Sequence, residues 1–322
     1  MSESTGLNSD SVPGPLGLID MTNINRLTLA PQSPLQPSET EVETPTRPSF
    51  AQIAHLPQQK SRFLDIQIRL GRILFPRSIS FRTVRLSPRI LVKYGFQVDR
   101  SEAETMRFIA DHTSIPVPKV HDCYSHNGLT HIFMQFIEGE ELASAWHSMS
   151  QQKKFRVVAQ LQRYLKELRE LPSSTGGAVC NISGGALRDA PRIGENPFGP
   201  FSSHQDFHAF IRNHVPLEKF RRLSQATINS HTREYSTKFT HGDFAPRNIL
   251  VKKDGTIAAI LDWECAGWFP EYWEFTKAHF SPCAARDWVS LIGSMTDRYD
   301  EQLEGEQALW KYCGEPGNPF TV

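Results

Sequence analysis

At 322 residues with 39% apolar content, the chain is long enough for a two-lobed enzyme with a buried core. Its 35 Lys and Arg residues equal its 35 Asp and Glu residues, which argues against a nucleic-acid partner or an anionic membrane surface as the target of net charge. Five cysteines without a Cys-x-x-Cys pair disfavour a zinc ribbon or disulfide framework, and no run reaches the roughly eighteen apolar residues of a membrane span; with no basic and apolar signal region at the N-terminus, a soluble cytoplasmic protein is expected.

Residues 1–58 are rich in Ser, Thr, Pro and Gln, with Arg26 and Arg47 as their only Lys or Arg residues. Such a segment buries too little apolar surface to offset the entropy of ordering, so it reads as a disordered tail. From Lys60 to Phe75 the apolar residues mix two periods, and the length favours a helix stopped by Pro76. Ser80 to Leu86 and Arg89 to Tyr94 read as two strands joined at Ser87-Pro88, with Lys93 near the end of the second. A helix is predicted from about Ser101 to Asp111. Glu102, Met106 and Ile109 share one of its faces, and either Ser101 with Glu104 or Asp99 with Glu102 supplies the N-terminal cap.

Lys153 to Leu171 carries apolar residues at amphipathic helical spacing. Ser150 and Lys153 have the Ser-x-x-Lys spacing of some acyl-transferring hydrolases, but neither companion motif of those enzymes is present. Residues 172–203, rich in Gly, Ser and Pro, predict a long loop. Ser203 to Asp206 opens a helix through about His214, on which His204 and His208 have metal-ligand spacing without a marked third ligand and read as exposed. Asn181-Ile-Ser183 matches a glycosylation sequon that the absence of a secretory signal leaves idle.

The stretch Thr240 to Trp263, THGDFAPRNILVKKDGTIAAILDW, commits to a chemistry. Two apolar runs flank Asp254-Gly255, the strongest short-range hairpin signal. A turn there sets Asn248 opposite Leu261 and brings Asp262 beside it, cross-strand neighbours lying roughly 5 Å apart. An amide oxygen and a carboxylate at the open end of a hairpin suit a hard divalent cation such as Mg²⁺. Asp243 precedes Asn248 by the Asp-x-x-x-x-Asn spacing of kinase catalytic loops, in which the Asp accepts the hydroxyl proton and the Asn and a later Asp hold Mg²⁺.

His241, Gly242, Asp243 and Asn248, followed by Asp262, Trp263 and Glu264, resemble the aminoglycoside phosphotransferase family, and in particular its fungal branch within the protein-kinase-like superfamily. The resemblance runs from roughly Arg82 to Phe280. It implies an α+β, two-lobed protein-kinase-like fold: a small sheet-containing nucleotide-binding lobe over 59–136 and a mainly helical lobe over 137–322 that carries the catalytic loop and metal site. It further implies ATP and Mg²⁺ as cofactors and a small-molecule hydroxyl as phosphoryl acceptor. Residue by residue, Asp243 is then the catalytic base, and Asn248 and Asp262 are the metal ligands. Lys93 pairs the nucleotide phosphates and Glu102 holds Lys93, with Glu104 as the alternative. Ile115 to Val120 and Thr130 to Ile137 become the remaining small-lobe strands, the second running into Glu138-Gly139 as the hinge, where backbone groups near Gln135 and Ile137 meet the adenine edge.

One feature departs from that pattern. The phosphate-covering loop of such enzymes is Gly-rich, yet Arg77 to Ser87 contains no glycine and Gly71 stands alone. This keeps a second reading open, a kinase-like binding protein without efficient catalysis. A protein kinase is disfavoured, because His-Gly-Asp replaces His-Arg-Asp and no Ala-Pro-Glu segment follows Asp262. Tyr272 to Phe275 begins a helical tail, with Glu271 and Glu274 as candidates to brace the catalytic loop. The acceptor has no marker, since the acidic residues between Asp287 and Glu306 read as solvated helix faces.

Overall fold

The computed structural model describes residues 58–76, 82–280 and 286–313. All of them belong to one compact unit, Gln52–Val322. The tail expected over 1–58 lies almost wholly outside the described residues, as does Cys283.

The first helix, α1 (Gln58–Leu74), ends ahead of Pro76 and lays Leu64 and Ile68 on Val84 and Val92 of strands β1 (Thr83–Arg85) and β2 (Ile90–Gly95). Gly71 permits this approach: a Cβ there would stand 2.6 Å from the carbonyl oxygen of Arg85 and 2.9 Å from Val84 Cγ1. It is a packing glycine. Because backbone cannot yield as a flexible side chain does, Gly71→Ala is expected to destabilise the fold by about 1–3 kcal/mol despite the better helix propensity of alanine. An unchanged urea midpoint for that variant would show that helix and strand have room to separate.

β2 pairs with β4 (Leu129–Gln135), which pairs with β3 (Val120–His126), giving a four-stranded antiparallel sheet in the order β1-β2-β4-β3. Residues 115–119, expected as strand, are irregular. Pro116 and Pro118 offer no N–H to a ladder, so pairing starts only at Val120. The turn at Asn127-Gly128, both at positive φ, closes the β3–β4 hairpin. Between β2 and β3 runs α2 (Arg100–His112), capped by Asp99, whose carboxylate accepts from the Ser101 N–H at 2.8 Å.

After Gln135 the chain leaves the sheet through Gly139, where a Cβ would lie 3.1 Å from Leu250 Cβ. It then forms β5 (Glu140–Glu141), which pairs with β9 (Ile249–Val251); β9 in turn pairs with β10 (Ile257–Ile260). The short α3 (Leu142–Ala145) leads to α4 (Gln151–Glu170), and Ser150 caps α4 by accepting from the Lys153 N–H. The Ser-x-x-Lys spacing is therefore that of a helix start.

The region 172–203 is not wholly loop. It contains a hairpin of β6 (Leu187–Asp189) and β7 (Gly194–Phe198), which sends Leu187, Ile193 and Phe198 into an aromatic core with Phe207, Tyr272 and Trp273. That burial is tertiary. The local sequence of β7, Gly-Glu-Asn-Pro-Phe, has no alternation to announce it. On α5 (His204–Ile211) both histidines are buried rather than exposed. His204 Nε2 meets Thr237 Oγ1 at 2.9 Å, and His208 Nε2 meets the Tyr272 hydroxyl at 2.9 Å while its ring stacks on His231. Burial, aided by His204 and Arg212, pushes His208 down to about 3, so the ring is neutral and serves packing.

The rest of the helical body comprises α6 (Gln225–Thr232), the paired strands β8 (Thr237–Thr240) and β11 (Gly267–Pro270), then α7 (Trp273–Phe280), α8 (Arg286–Met295) and α9 (Asp300–Tyr312). Glu306 is not on a solvated face: it is 2% exposed and lies 3.5 Å from buried Arg192. Among the described residues no helix is long and apolar enough to cross a membrane.

Candidate active site

The catalytic-loop residues are held from beneath by backbone and by one carboxylate. Glu274, at the start of α7, accepts from the His241 N–H at 2.6 Å and from the Gly242 N–H at 3.3 Å. Glu271, the other candidate brace, makes its backbone contacts elsewhere: its carbonyl accepts from Arg169 and its N–H donates to the Ser236 carbonyl. The His241 ring faces the Leu261 carbonyl through Nε2 at 3.0 Å and takes the Asp243 N–H at Nδ1 at 3.2 Å. Only the Nε2–H tautomer satisfies both contacts, and burial keeps the ring neutral by lowering its pKa. Gly242 sits at φ +76°, with the Cys265 carbonyl oxygen 2.5 Å from where a Cβ would stand. Each residue of His-Gly-Asp thus has a local reason.

Burial raises the Glu274 carboxyl from its ordinary 4.5 to about 7, against the two N–H donors and the charge of Arg169. The folded protein therefore keeps this proton across the window from about 4.5 to 7 in which the unfolded chain has lost it, and stability from this group falls as pH rises through that window. Glu274→Gln removes the titration. The stability difference between wild type and variant is expected to change by about 1.4 kcal/mol per pH unit inside the window and to flatten above it; a difference independent of pH would place the titration elsewhere.

Asp243 accepts from Asn248 Nδ2 at its backbone oxygen (2.9 Å) and at Oδ2 (2.8 Å), and Arg247 clasps its carboxylate at 2.5 and 2.6 Å. Both amide hydrogens of Asn248 point to Asp243, leaving the amide oxygen as the atom available to a cation. The hairpin register agrees with the Asp254-Gly255 turn. Ile249 faces Ile260, Leu250 faces Ala259, and the Leu261 N–H donates to the Asn248 carbonyl at 2.8 Å. Asp262 then adopts the left-handed conformation (φ 62°, ψ 64°), which Asp tolerates better than most residues, and turns the chain into a single helical turn over Trp263–Cys265.

Across from that turn, Lys93 on β2 gathers three carboxylates. Its Nζ donates to Glu102 (2.9 Å), Asp262 (2.7 Å) and Glu264 (3.1 Å). Burial works against the ammonium, but Glu102, Asp262 and Glu264 together raise its pKa, so it stays charged. Glu102 is buried on α2, and that burial lifts its carboxyl above the usual range in spite of Lys93. Burial also opposes ionisation of Asp262, but Lys93 outweighs it and holds Asp262 low. Glu104 is not the partner of Lys93: it meets Arg100 at 3.0 Å and the Ser183 hydroxyl.

The structure gathers Lys93, Glu102 and Asp262 into one group and Asp243 and Asn248 into another, and backbone links the two through the Leu261 N–H on the Asn248 carbonyl and the His241 ring between Leu261 and Asp243; Gln135 and Ile137 stand apart at the exit of the sheet. The Gln135 N–H donates to the Lys119 carbonyl (2.9 Å) and the Phe136 N–H to Arg89 (2.8 Å). Within a strand a residue's N–H and carbonyl point to the same edge, so the Gln135 carbonyl faces the Lys119 side, and Ile137 lies beyond the end of β4. Three contacts had no sequence reading: Glu264 on Lys93, Arg82 on Glu264 (3.2 and 3.3 Å), and Arg247 on Asp243. The i,i+4 spacing of Asp243 and Arg247 was the available signal for the last. Between β1 and β2 the turn over Leu86–Arg89 holds no glycine.

A small antiparallel sheet bearing a buried Lys–Glu pair, joined to a helical body that presents an Asp-x-x-x-x-Asn loop and a hairpin ending in Asp, defines a protein-kinase-like fold. Within that class the chain belongs to the phosphotransferase enzyme family, whose model matches residues 97–310. Among solved structures, the aminoglycoside phosphotransferase APH(4)-Ia is 14% identical and superposes with a TM-score of 0.51, over 78% of this chain and 88% of that one. A putative fructosamine-3-kinase from Haemophilus somnus 129PT is 12% identical, with a TM-score of 0.47 over 70% of this chain and 74% of its own. The streptomycin-ATP complex of APH(2")-IIa is 14% identical, with a TM-score of 0.46 over 79% and 87%. No curated protein matches the chain.

Proposed function

We propose that the protein transfers the γ-phosphoryl group of ATP to a hydroxyl of a small molecule, with nucleotide held between a lobe over 59–136 and a lobe over 137–322. The observation that carries this reading is the pair of side-chain groups joined by the hairpin backbone: Lys93 touches Glu102 and Asp262, Asn248 touches Asp243, and the Leu261 N–H, one residue before Asp262, donates to the Asn248 carbonyl. Phosphoryl transfer asks for positioning and charge neutralisation, and these residues supply both. The Asn248 amide oxygen and the Asp262 carboxylate, its side chain 37% exposed, are hard oxygen donors that fit Mg²⁺. Held by these two residues, such an ion would supply neutralisation of the charge on the phosphates. Lys93, fixed by Glu102, exchanges its contact with Asp262 for phosphate oxygens. Asp243 orients the acceptor hydroxyl and takes its proton, and the Gln135 carbonyl and Ile137 N–H meet the base.

A second reading, a kinase-like binding protein, draws on the glycine-free stretch 77–87 ahead of the Lys93 strand and on the packing role of Gly71. Both readings predict nucleotide binding; only the first predicts turnover. Millimolar ATP with Mg²⁺ is expected to raise the melting temperature of the full chain, a ligand at 100 times its Kd adding about 2.7 kcal/mol. A flat thermal-shift titration would overturn both.

A further inference from the structure

A nucleotide's phosphates bring several negative charges into a cleft that already holds Glu102, Asp262 and Glu264. Kinase-like enzymes cover those phosphates with a Gly-rich loop ahead of the lysine strand, and the stretch 77–87 before the strand of Lys93 contains no glycine. The charge and hydrogen bonds must come from other groups. Among the described residues, the cations paired with the three carboxylates are Lys93 and Arg82.

We propose that Arg82 is a second phosphate-binding residue of the nucleotide site, doing with a side chain what a Gly-rich loop does with backbone; the inference rests on the nucleotide reading above. Its place in the fold supports this. The Arg82 carbonyl accepts from the Tyr94 N–H at 2.8 Å, and the next residue, Thr83, pairs with Lys93, so Arg82 is anchored at the end of the same two-strand ladder that presents Lys93. Its guanidinium lies on Glu264 through two contacts of 3.2 and 3.3 Å, and Glu264 also accepts from Lys93 at 3.1 Å. The two cations therefore share one carboxylate, next to the Asp262 carboxylate that Lys93 also holds. With its side chain 24% exposed, Arg82 is ordered by Glu264 yet open to the cleft. A planar fork of N–H donors suits two oxygens of one phosphate, or one oxygen from each of two, better than an ammonium does. Glu264 then acts as a positioning residue that parks the guanidinium when no phosphate is present.

The bland alternative is that Arg82–Glu264 merely ties the sheet to the turn after Asp262. Titrating full-length wild type, Arg82→Ala and Arg82→Lys with Mg-ATP and with adenosine, alongside the melting temperature of each free protein, separates the two. The expected result is ATP binding weakened about 10- to 100-fold in Arg82→Ala, the scale of a charge-assisted hydrogen bond, with adenosine affinity unchanged and partial recovery of ATP affinity in Arg82→Lys. Should the alanine variant fail to fold, Arg82→Gln, which retains donors toward Glu264 but not the charge, enters the same comparison. Equal ATP affinity in wild type and variants overturns the inference and leaves the nucleotide reading standing. So does a loss that is equal for ATP and adenosine, which marks a structural tie. A wild type that binds no ATP overturns the nucleotide reading itself, and the inference with it.

Discussion

Asp243→Asn is expected to lower turnover by about 10² to 10⁴-fold, the usual contribution of a positioned general base, while leaving nucleotide affinity nearly unchanged. Asparagine keeps the size and the acceptor oxygen of the side chain but cannot take a proton. The backbone oxygen of residue 243 still receives Asn248 Nδ2 at 2.9 Å, so the loop and the two metal-ligand candidates stay in place. The change also removes the ion pair with Arg247, which is 40% exposed at its side chain and therefore of modest worth to stability. ADP formation across a panel of hydroxyl compounds, with slow ATP hydrolysis as the baseline, measures the effect. A variant as active as wild type would remove Asp243 from the chemistry. A wild type that binds ATP but transfers to nothing would favour the binding-protein reading.

Asp262→Ala is expected to abolish the part of nucleotide stabilisation that depends on Mg²⁺, read as the difference in melting temperature between ATP with Mg²⁺ and ATP with EDTA. The Lys93–Glu102 contact at 2.9 Å does not involve Asp262, so metal-independent binding through Lys93 should survive. Residue 262 lies at φ 62°, where alanine carries a backbone penalty of about 1–2 kcal/mol, so a lower melting temperature of the free variant is expected as well. Asp262→Asn, which tolerates that conformation, separates the two effects: it should regain the backbone part of the free protein's stability, though not the ion pair with Lys93, while its neutral amide oxygen leaves the Mg²⁺ increment reduced. A full increment in Asp262→Ala would exclude Asp262 as a metal ligand.

What was legible in the chain follows how local each signal is. Asp254-Gly255 between two apolar runs predicts the hairpin and its outer register, but next to the turn Val251 faces Ile257, and a bulge between Ile257 and Ala259 that no sequence signal marks brings the outer pairs into line. The shared face of Glu102, Met106 and Ile109 was enough to aim Glu102 inward, where it meets Lys93, and to leave Glu104 for Arg100. Asn127-Gly128 carried the same kind of turn signal and went unread, so the β3 strand was placed several residues too early, over prolines. The β6–β7 hairpin could not be read locally at all: Leu187 and Phe198 owe their strands to the aromatic core they enter. The same holds for His208, whose burial depends on Tyr272 and His231 from distant segments. Gly71 shows how a glycine that serves close packing resembles in sequence one that serves a ligand.

The close passage of Gly139 over Leu250 has a mechanical meaning. Residues 140–141 are hydrogen-bonded into the sheet of β9 and β10, so a backbone ladder connects the segment just after Ile137 to the strand that ends at Ile260, two residues before Asp262. Lys93 reaches Asp262 only through side-chain atoms, at 2.7 Å. Ladders shear far less readily than side chains reorient, so the base-side and metal-side anchors behave as one bracket of fixed span. Opening and closing of the cleft would then be felt almost entirely as travel of the strand that carries Lys93.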